Sequence, residues 1–276
     1  MEFMNVRENF LENVERRTLN LEDASDVRRS TFAAGEDEPS SRIPSSPFTT
    51  QRLGLLEYEL ALERMRLEHA RVADGGAPTL LLLEHPPVLT LGRKAHAAEN
   101  VRASIETLER EGIKIVQAER GGDVTYHGPG QLVGYPLFPV GRRVREYLRK
   151  LENVLISVLE GFGVEAHGHE GYAGVYVGQG ELEKIASIGV AIKRGVAMHG
   201  FGLNVNTRLE HFDLIVPCGL ESVRMTSLKK LLGAPQDMQG VMARIEASFR
   251  LEFAQYDWVG QRSSTPVTPS PLLSAV

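Results

Sequence analysis

The stretch ERGGDVTYHGPGQLVGYPLF, residues 119–138, carries five glycines, one histidine, one glutamine and a Tyr-Pro pair between two hydrophobic runs. A turn needs one or two glycines. The surplus marks a place where something comes close to bare backbone. A phosphate-cradling GxxxxGK[ST] loop is excluded, because no lysine follows the glycines. A dinucleotide-binding GxGxxG turn fits poorly. In GPGQLVG, Val133 stands where the third glycine belongs, and the chain runs on into the strand-like LVGYPLF rather than a helix. Two readings remain: a sheet edge where a ligand lies against backbone, or a Gly-Pro-Gly turn with a satisfied histidine. In the first, Thr125 and His127 share one face of VTYH, and Gln131, Val133 and Tyr135 share one face of the next strand.

Around this stretch the hydrophobic pattern predicts an α/β (α+β) domain built on one mixed, mainly antiparallel sheet flanked by helices. LLEYELALERMRLEHARVA (55–73) has helical spacing. TLLLLEH (79–85) suits a buried strand, and PPVLTLG follows as a second strand, bent away by its prolines. Residues 104–112 predict a short helix stopped by Gly112, and IKIVQAE an alternating strand. VREYLRKLENVLISVLEGFG (144–163) is a long amphipathic helix. AGVYVGQGELEKIASIGVAI (173–192) predicts two strands joined by a Gly-Gln-Gly hairpin. GVAMHGFGLNVN (195–206) predicts a further strand, and residues 237–255 a last helix.

The folded domain is expected over 48–260. Residues 1–47 are expected to form a flexible extension, because GEDEPSSRIPSSP (35–47) is charged and rich in Ser and Pro. Upstream, Phe10, Leu11 and Val14 fit either a marginal amphipathic helix or an unstructured leader. The Pro/Ser/Thr-rich end, 261–276, is expected to be disordered. The formal net charge of −5 argues against a nucleic-acid partner drawn by overall charge. No apolar run reaches the roughly 18–20 residues of a membrane span. The first residues lack the apolar region of a secretory signal, so a cytoplasmic location is expected, with no membrane partner.

The single cysteine, Cys218, excludes an intrachain disulfide and CxxC-type zinc sites. By itself it reads as a small buried hydrophobe or as a nucleophile. Lys184 opens an apolar strand, and reads either as a cap in solvent or as a lysine turned inward. His199 sits in an apolar strand, as a core histidine or one that touches substrate. His167 and His169 in AHGHE read as a solvated loop rather than a metal pair, since no third ligand is nearby. No metal and no cofactor is called for. Arg142, Arg145 and Arg149 fall at helical spacing, as a docking face or a solvated one.

RGGDVTYHGPGQLVGYP (120–136) resembles the signature of the lipoyl-synthesis octanoyltransferases. LEHPPVLTLGR (83–93), KIASIGVAIKRGVAMHGFGLNVN (184–206) and IVPCGL (215–220) resemble further segments of that family, in the same order, over about 50–235. The resemblance implies a lipoate/biotin protein ligase-like fold. It implies transfer of an octanoyl group from acyl carrier protein to a lysine of lipoyl domains, those of 2-oxoacid dehydrogenase E2 subunits and of the glycine cleavage H protein. It further implies that Cys218 carries the acyl thioester and that Lys184 lowers the thiol pKa and handles protons. The acyl site would be lined by Arg120, Gly121, Gly122, Asp123, Val124, Thr125, Tyr126 and His127. Ser187, Ile188 and Gly189, with Gly200, Phe201 and Gly202, would complete it, with Tyr135 and His199 as further candidates.

The chemistry agrees with such a pair. A thiolate is both nucleophile and leaving group, and thioester exchange followed by attack of a lysine needs no ATP. Free cysteine has a pKa of about 8.5, and a nearby ammonium favours the thiolate. Gly219 beside Cys218 leaves its flank open. Backbone N–H groups of Gly121, Gly122 or Gly189 are expected to face the developing negative charge on the acyl oxygen. The competing functions are an ATP-dependent lipoate-protein ligase, an octanoyl amidotransferase between lipoyl domains, and an inactive relative that only binds lipoyl domains.

Overall fold

The computed structural model describes residues 47–94, 97–216, 223–254 and 256. The expectations for residues 1–46 and for the tail after 256 lie outside the described residues, as does Cys218. The strands are β1 (Thr49–Leu55), β2 (Thr79–Glu84), β3 (Val88–Leu91), β4 (Lys114–Gln117), β5 (Thr125–His127), β6 (Gln131–Leu137), β7 (Ala166–His169), β8 (Tyr172–Val177), β9 (Glu183–Lys193), β10 (Val196–Asn204) and β11 (Arg224–Met225). The helices are α1 (Tyr58–Ala73), α2 (Ile105–Arg110), α3 (Val144–Glu160), α4 (Leu228–Leu232) and α5 (Met238–Glu252).

The large sheet has the order β1-β2-β6-β10-β9-β8-β7, with β11 added beside the start of β9. Its pairs are antiparallel except β1–β2 and β11–β9. The expected single sheet is in fact two. β3 leaves the large sheet and pairs with β4 and β5 in a three-stranded one. Pro86 and Pro87 separate β2 from β3. They donate no backbone N–H and end the β2 ladder there. The chain then restarts in a new direction at Val88.

β2 is apolar without alternation because both faces of the sheet are covered. Leu80 and Leu82 enter the core beneath α3 and α5, with Phe138, Leu151, Leu155 and Phe249. Leu81 and Leu83 face α1 through Met65, Val133 and Leu137. Each fully buried leucine contributes about 2 kcal/mol relative to exposure. α5 begins at Asp237, whose carboxylate accepts from the N–H groups of Gln239 and Gly240. The small sheet keeps its own core of Leu89, Leu91, Val124, Tyr126 and Phe212.

Two local expectations change. Residues 49–55 form β1, so the first helix starts at Tyr58 rather than at Leu55. β1 gains its ladder from β2, a long-range pairing that helical periodicity in 55–73 does not report. AHGH is β7, an edge strand, rather than a loop. Its backbone pairs with β8, and the ring nitrogens of His167 lie 3.0 Å from the carbonyls of Gly168 and Gly178.

Candidate active site

β9 and β10 pair in antiparallel register, with Ser187 opposite Gly202, Gly189 opposite Gly200 and Val190 opposite His199. The loop before β5 folds over this ladder. Gly121 donates to the Val190 carbonyl at 2.9 Å, stitching the loop to β9. On its other side the loop is tied to the end of β3. Gly92, Arg93 and Lys94 donate to the carbonyls of Asp123, Arg120 and Gly122 at 3.1–3.2 Å. Between loop and ladder lies a cleft with about 510 Å³ of empty space, open solvent at its mouth included.

The cleft is lined by Arg120, Gly122, Asp123, Val124, Thr125 and His127 from the loop and β5. Ser187, Ile188 and Gly189 come from β9, His199, Gly200, Phe201 and Gly202 from β10, Tyr135 from β6, and Tyr58 from the first turn of α1. Of the residues expected there, Gly121 and Tyr126 are not brought into the lining. The Gly121 N–H is spent on Val190, so it is not a donor for an acyl oxygen. Tyr126 alternates away from Thr125 and His127 into the small-sheet core, where its hydroxyl meets His211 Nδ1 at 2.7 Å.

Arg120 is buried and braces the loop. Its guanidinium donates to the Asp123 carbonyl at 2.7 Å, to the Thr90 carbonyl at 2.7 Å and to Thr90 Oγ1 at 2.8 Å. The Asp123 carboxylate accepts from Asn100 Nδ2 at 2.9 Å and from the Val124 N–H at 2.7 Å. These two charged residues are structural struts as well as lining. The glycines serve the protein's own packing too. Gly134 lies under the Phe201 ring, where an added Cβ would collide with it.

Three buried histidines belong to the cleft and its backing: His127 and His199 line it, and His85 is bonded to the lining residue Tyr135. His127 Nδ1 donates to Gln131 Oε1 at 2.6 Å, and Gln131 Nε2 donates to Asn204 Oδ1 and the Tyr126 carbonyl. His85 Nδ1 donates to the Leu56 carbonyl at 2.7 Å, which leaves Nε2 to accept from the Tyr135 hydroxyl at 2.8 Å. His199 donates its backbone N–H to Met65 Sδ. Burial holds all three rings neutral, with pKa values brought down to about 4 for His85 and about 3 for His127 and His199. Burial also pushes the Tyr58 phenol up to about 12.

Lys184 turns inward and is 1% exposed. It stands at the start of β9, opposite Met225 of β11, and its ammonium donates to the Ala173 carbonyl at 3.2 Å. Cys218 lies outside the described residues. Of the described residues on either side of it, one side is tied to Asn100 and the other to Lys184. Val216 donates to the Asn100 carbonyl, and Asn100 holds Asp123. Thr226 donates to the Lys184 carbonyl. Sequence reasoning missed Tyr58 as a lining residue and His85 as the partner of the lining residue Tyr135. Tyr58 has no local signal that separates it from a core aromatic. His85 was visible only as the histidine of a His-Pro-Pro strand.

Arg142, Arg145 and Arg149 are exposed, on or just before the first half of α3. Arg149 pairs with Glu152 at 2.9 Å.

The site is thus a glycine-lined cleft against a mixed sheet, with a buried lysine at the start of one of its lining strands. Residues 56–250 match the family model of the lipoyl protein ligase A/B catalytic domain. An octanoyltransferase of Deinococcus radiodurans is 52% identical over 238 residues, 82% of this chain and 70% of that protein. One of Caldicellulosiruptor saccharolyticus is 47% identical over 203 residues, 71% of this chain and 85% of that protein. Among solved structures, a putative lipoate protein ligase of Thermoplasma acidophilum with bound lipoic acid superposes with a TM-score of 0.60 at 17% identity. The match covers 75% of this chain and 86% of that one, and it shows the fold. The chain belongs to the octanoyltransferase family. It is an acyltransferase of protein lipoylation, and no described helix is long and apolar enough to cross a membrane.

Proposed function

We propose that this enzyme takes its octanoyl group from acyl carrier protein, holds it as a thioester on Cys218, and delivers it to a lysine of lipoyl domains. The acceptors are the lipoyl domains of 2-oxoacid dehydrogenase E2 subunits and the glycine cleavage H protein. The Cys218 thiolate attacks the donor carbonyl carbon. The carbon–sulfur bond to the carrier breaks, and the departing thiolate takes a proton. The amine of the target lysine then attacks the new thioester, loses a proton, and forms the amide as the Cys218 thiol leaves. Lys184 acts on these protons, and the cleft holds the acyl chain against β9 and β10.

The observation that carries the reading is the burial of Lys184 at the end of the strand that also lines the cleft. A lysine is seldom buried without a partner or a task. The flanks of Cys218 support the pairing, since the chain leaves Val216 beside the cleft loop and is next to Lys184 again at Met225. Intact-mass measurement after incubation with octanoyl-carrier protein, without ATP, is expected to show one octanoyl mass on a peptide containing Cys218. Full turnover by Cys218→Ala would sink the mechanism. Transfer that requires ATP would instead favour a ligase. Acylation only from an octanoylated lipoyl domain would favour an amidotransferase.

A further inference from the structure

We propose that Glu152 is a positioning residue for Lys184, acting through the single peptide group between Ala173 and Gly174. The inference rests on the reading of Lys184 as the group that handles the protons of acyl transfer. The Lys184 ammonium donates to the Ala173 carbonyl at 3.2 Å. The N–H of Gly174 donates to Glu152 Oε1 at 3.3 Å. That carbonyl and that N–H are the two ends of one peptide group, which is planar and stiff. Holding the N–H therefore aims the carbonyl, and the carbonyl aims the ammonium. Each bond polarises the other, so the two reinforce one another.

The surroundings are shaped around this link. Among the buried residues of α3, Glu152 is the one that carries a charge; the others are aliphatic or aromatic. It is 4% exposed, and a carboxylate is seldom buried so deeply without partners. Oε2 accepts from the exposed guanidinium of Arg149 at 2.9 Å, while Oε1 takes the Gly174 N–H. Gly168 on β7 leaves room for the carboxylate, since an added Cβ there would lie 3.2 Å from Oε2. Gly174 holds φ 144°, a conformation that side-chain-bearing residues rarely adopt, and an added Cβ would lie 2.6 Å from Lys184 Cε. The register of β8 on β9 slips by one residue after Val175, so Tyr176 rather than Val177 stands opposite Lys184. Bulges of this kind re-aim a side chain. A left-handed glycine, a bulge and a buried carboxylate thus converge on the peptide that Lys184 touches. An apolar residue at 152 would suit the rest of that helix face, but it would remove the acceptor that holds this peptide.

The test compares Glu152→Gln, which keeps an oxygen for the Gly174 N–H, with Glu152→Met, which keeps the length and removes the acceptor. Steady-state transfer from octanoyl-carrier protein is measured beside the thermal midpoint of each variant. Glu152→Met is expected to lower kcat at least tenfold with KM for the donor within twofold of wild type. A displaced proton-handling group slows the chemistry without loosening the substrate. Glu152→Gln is expected to bring kcat back to within threefold of wild type. A Glu152→Met enzyme with kcat within twofold of wild type overturns the positioning role, as does equal impairment of the two variants. In the wild-type protein, exchange of the Gly174 amide followed by NMR is expected to be at least about 100-fold slower than in an unstructured peptide. Exchange within about tenfold of the peptide overturns the contact even if neither variant folds. Lys184→Met, run in parallel, separates the two readings. If it is inactive while Glu152→Met turns over like wild type, the inference alone falls. If Lys184→Met keeps full turnover, the reading of Lys184 falls and the inference falls with it.

Discussion

The ammonium of Lys184 stands 5.2 Å from the centroid of the Tyr176 ring, its register partner across β8 and β9. An aromatic face is a favourable seat for a cation that has lost most of its water. It does not remove the cost of burying the charge, so the lysine is kept there against the interest of stability. Lys184→Met preserves length and apolar bulk. We expect the thermal midpoint of this variant to hold or rise, while octanoyl transfer falls at least 100-fold, the range of a lost proton-handling group. Calorimetry and a steady-state assay on the same preparation check the pair. Loss of both stability and activity would reduce Lys184 to a structural residue.

Gly134 and Phe201 give a second prediction. A methyl group at Gly134 would meet the Phe201 ring, which lines the cleft and stacks on Phe249 at 6.1 Å between centroids. Gly134→Ala forces that stack to move, at a cost of about 1–3 kcal/mol. The displaced ring should also lower kcat/KM for the octanoyl donor by more than tenfold. Gly180 has open space around its missing Cβ, and Gly180→Ala serves as the control, with stability unchanged or slightly higher. Equal behaviour of the two variants in a denaturation titration would show that the Phe201 position is not constrained.

Much of this geometry was legible because the chemistry is local in sequence. The β5 loop announces itself by its glycines, the family resemblance points to the Ser187–Gly189 and Gly200–Gly202 segments, and the register of β9 on β10 brings those two face to face. The rest depended on information that a single window does not contain. β1 exists because β2 is available to pair with it. β3 departs to a second sheet because of where β4 and β5 lie. Tyr58 reaches the cleft from the first turn of α1, where it packs with Val88 and Ala118, residues far from it in sequence. Gly121 and Tyr126 sit inside the signature, yet a backbone bond and strand alternation turn them away from the cleft.

The exposed Arg142, Arg145 and Arg149 supply a prediction about the donor. A carrier-protein donor with an acidic surface would be attracted to such a face through rim charges that act mainly on encounter. Arg142→Glu combined with Arg145→Glu should raise the apparent KM for octanoyl-carrier protein severalfold. It should leave a short thioester without the carrier unaffected, and the effect should fade at high salt. Arg149 is left intact in this test because it holds Glu152. Equal changes with both donors would remove docking from this face.

The three buried histidines fix the sign of the acid response. His85, His127 and His199 titrate near 6.5 when unfolded, and burial lowers them to about 4, 3 and 3 in the folded state. Between pH 6.5 and those values the unfolded chain binds more protons than the folded one. Stability is therefore complete above about pH 6.5 and falls as the pH drops toward the folded values. Each histidine contributes a slope of up to about 1.4 kcal/mol per pH unit, or about 2 kcal/mol between pH 6.5 and 5. Carboxylates act in a lower window. Glu119, held below its ordinary 4.5 by the hydrogen bond from Lys193, loses its contribution only in more acid solution. Urea denaturation at pH 7 and pH 5 should therefore show a loss of several kcal/mol. His199→Asn, which tolerates the left-handed backbone, should cut the slope by about a third. A flat profile between pH 7 and 5, or a slope that His199→Asn leaves unchanged, would mean that these rings are protonated in the folded enzyme and that the cleft is wetter than its packing implies.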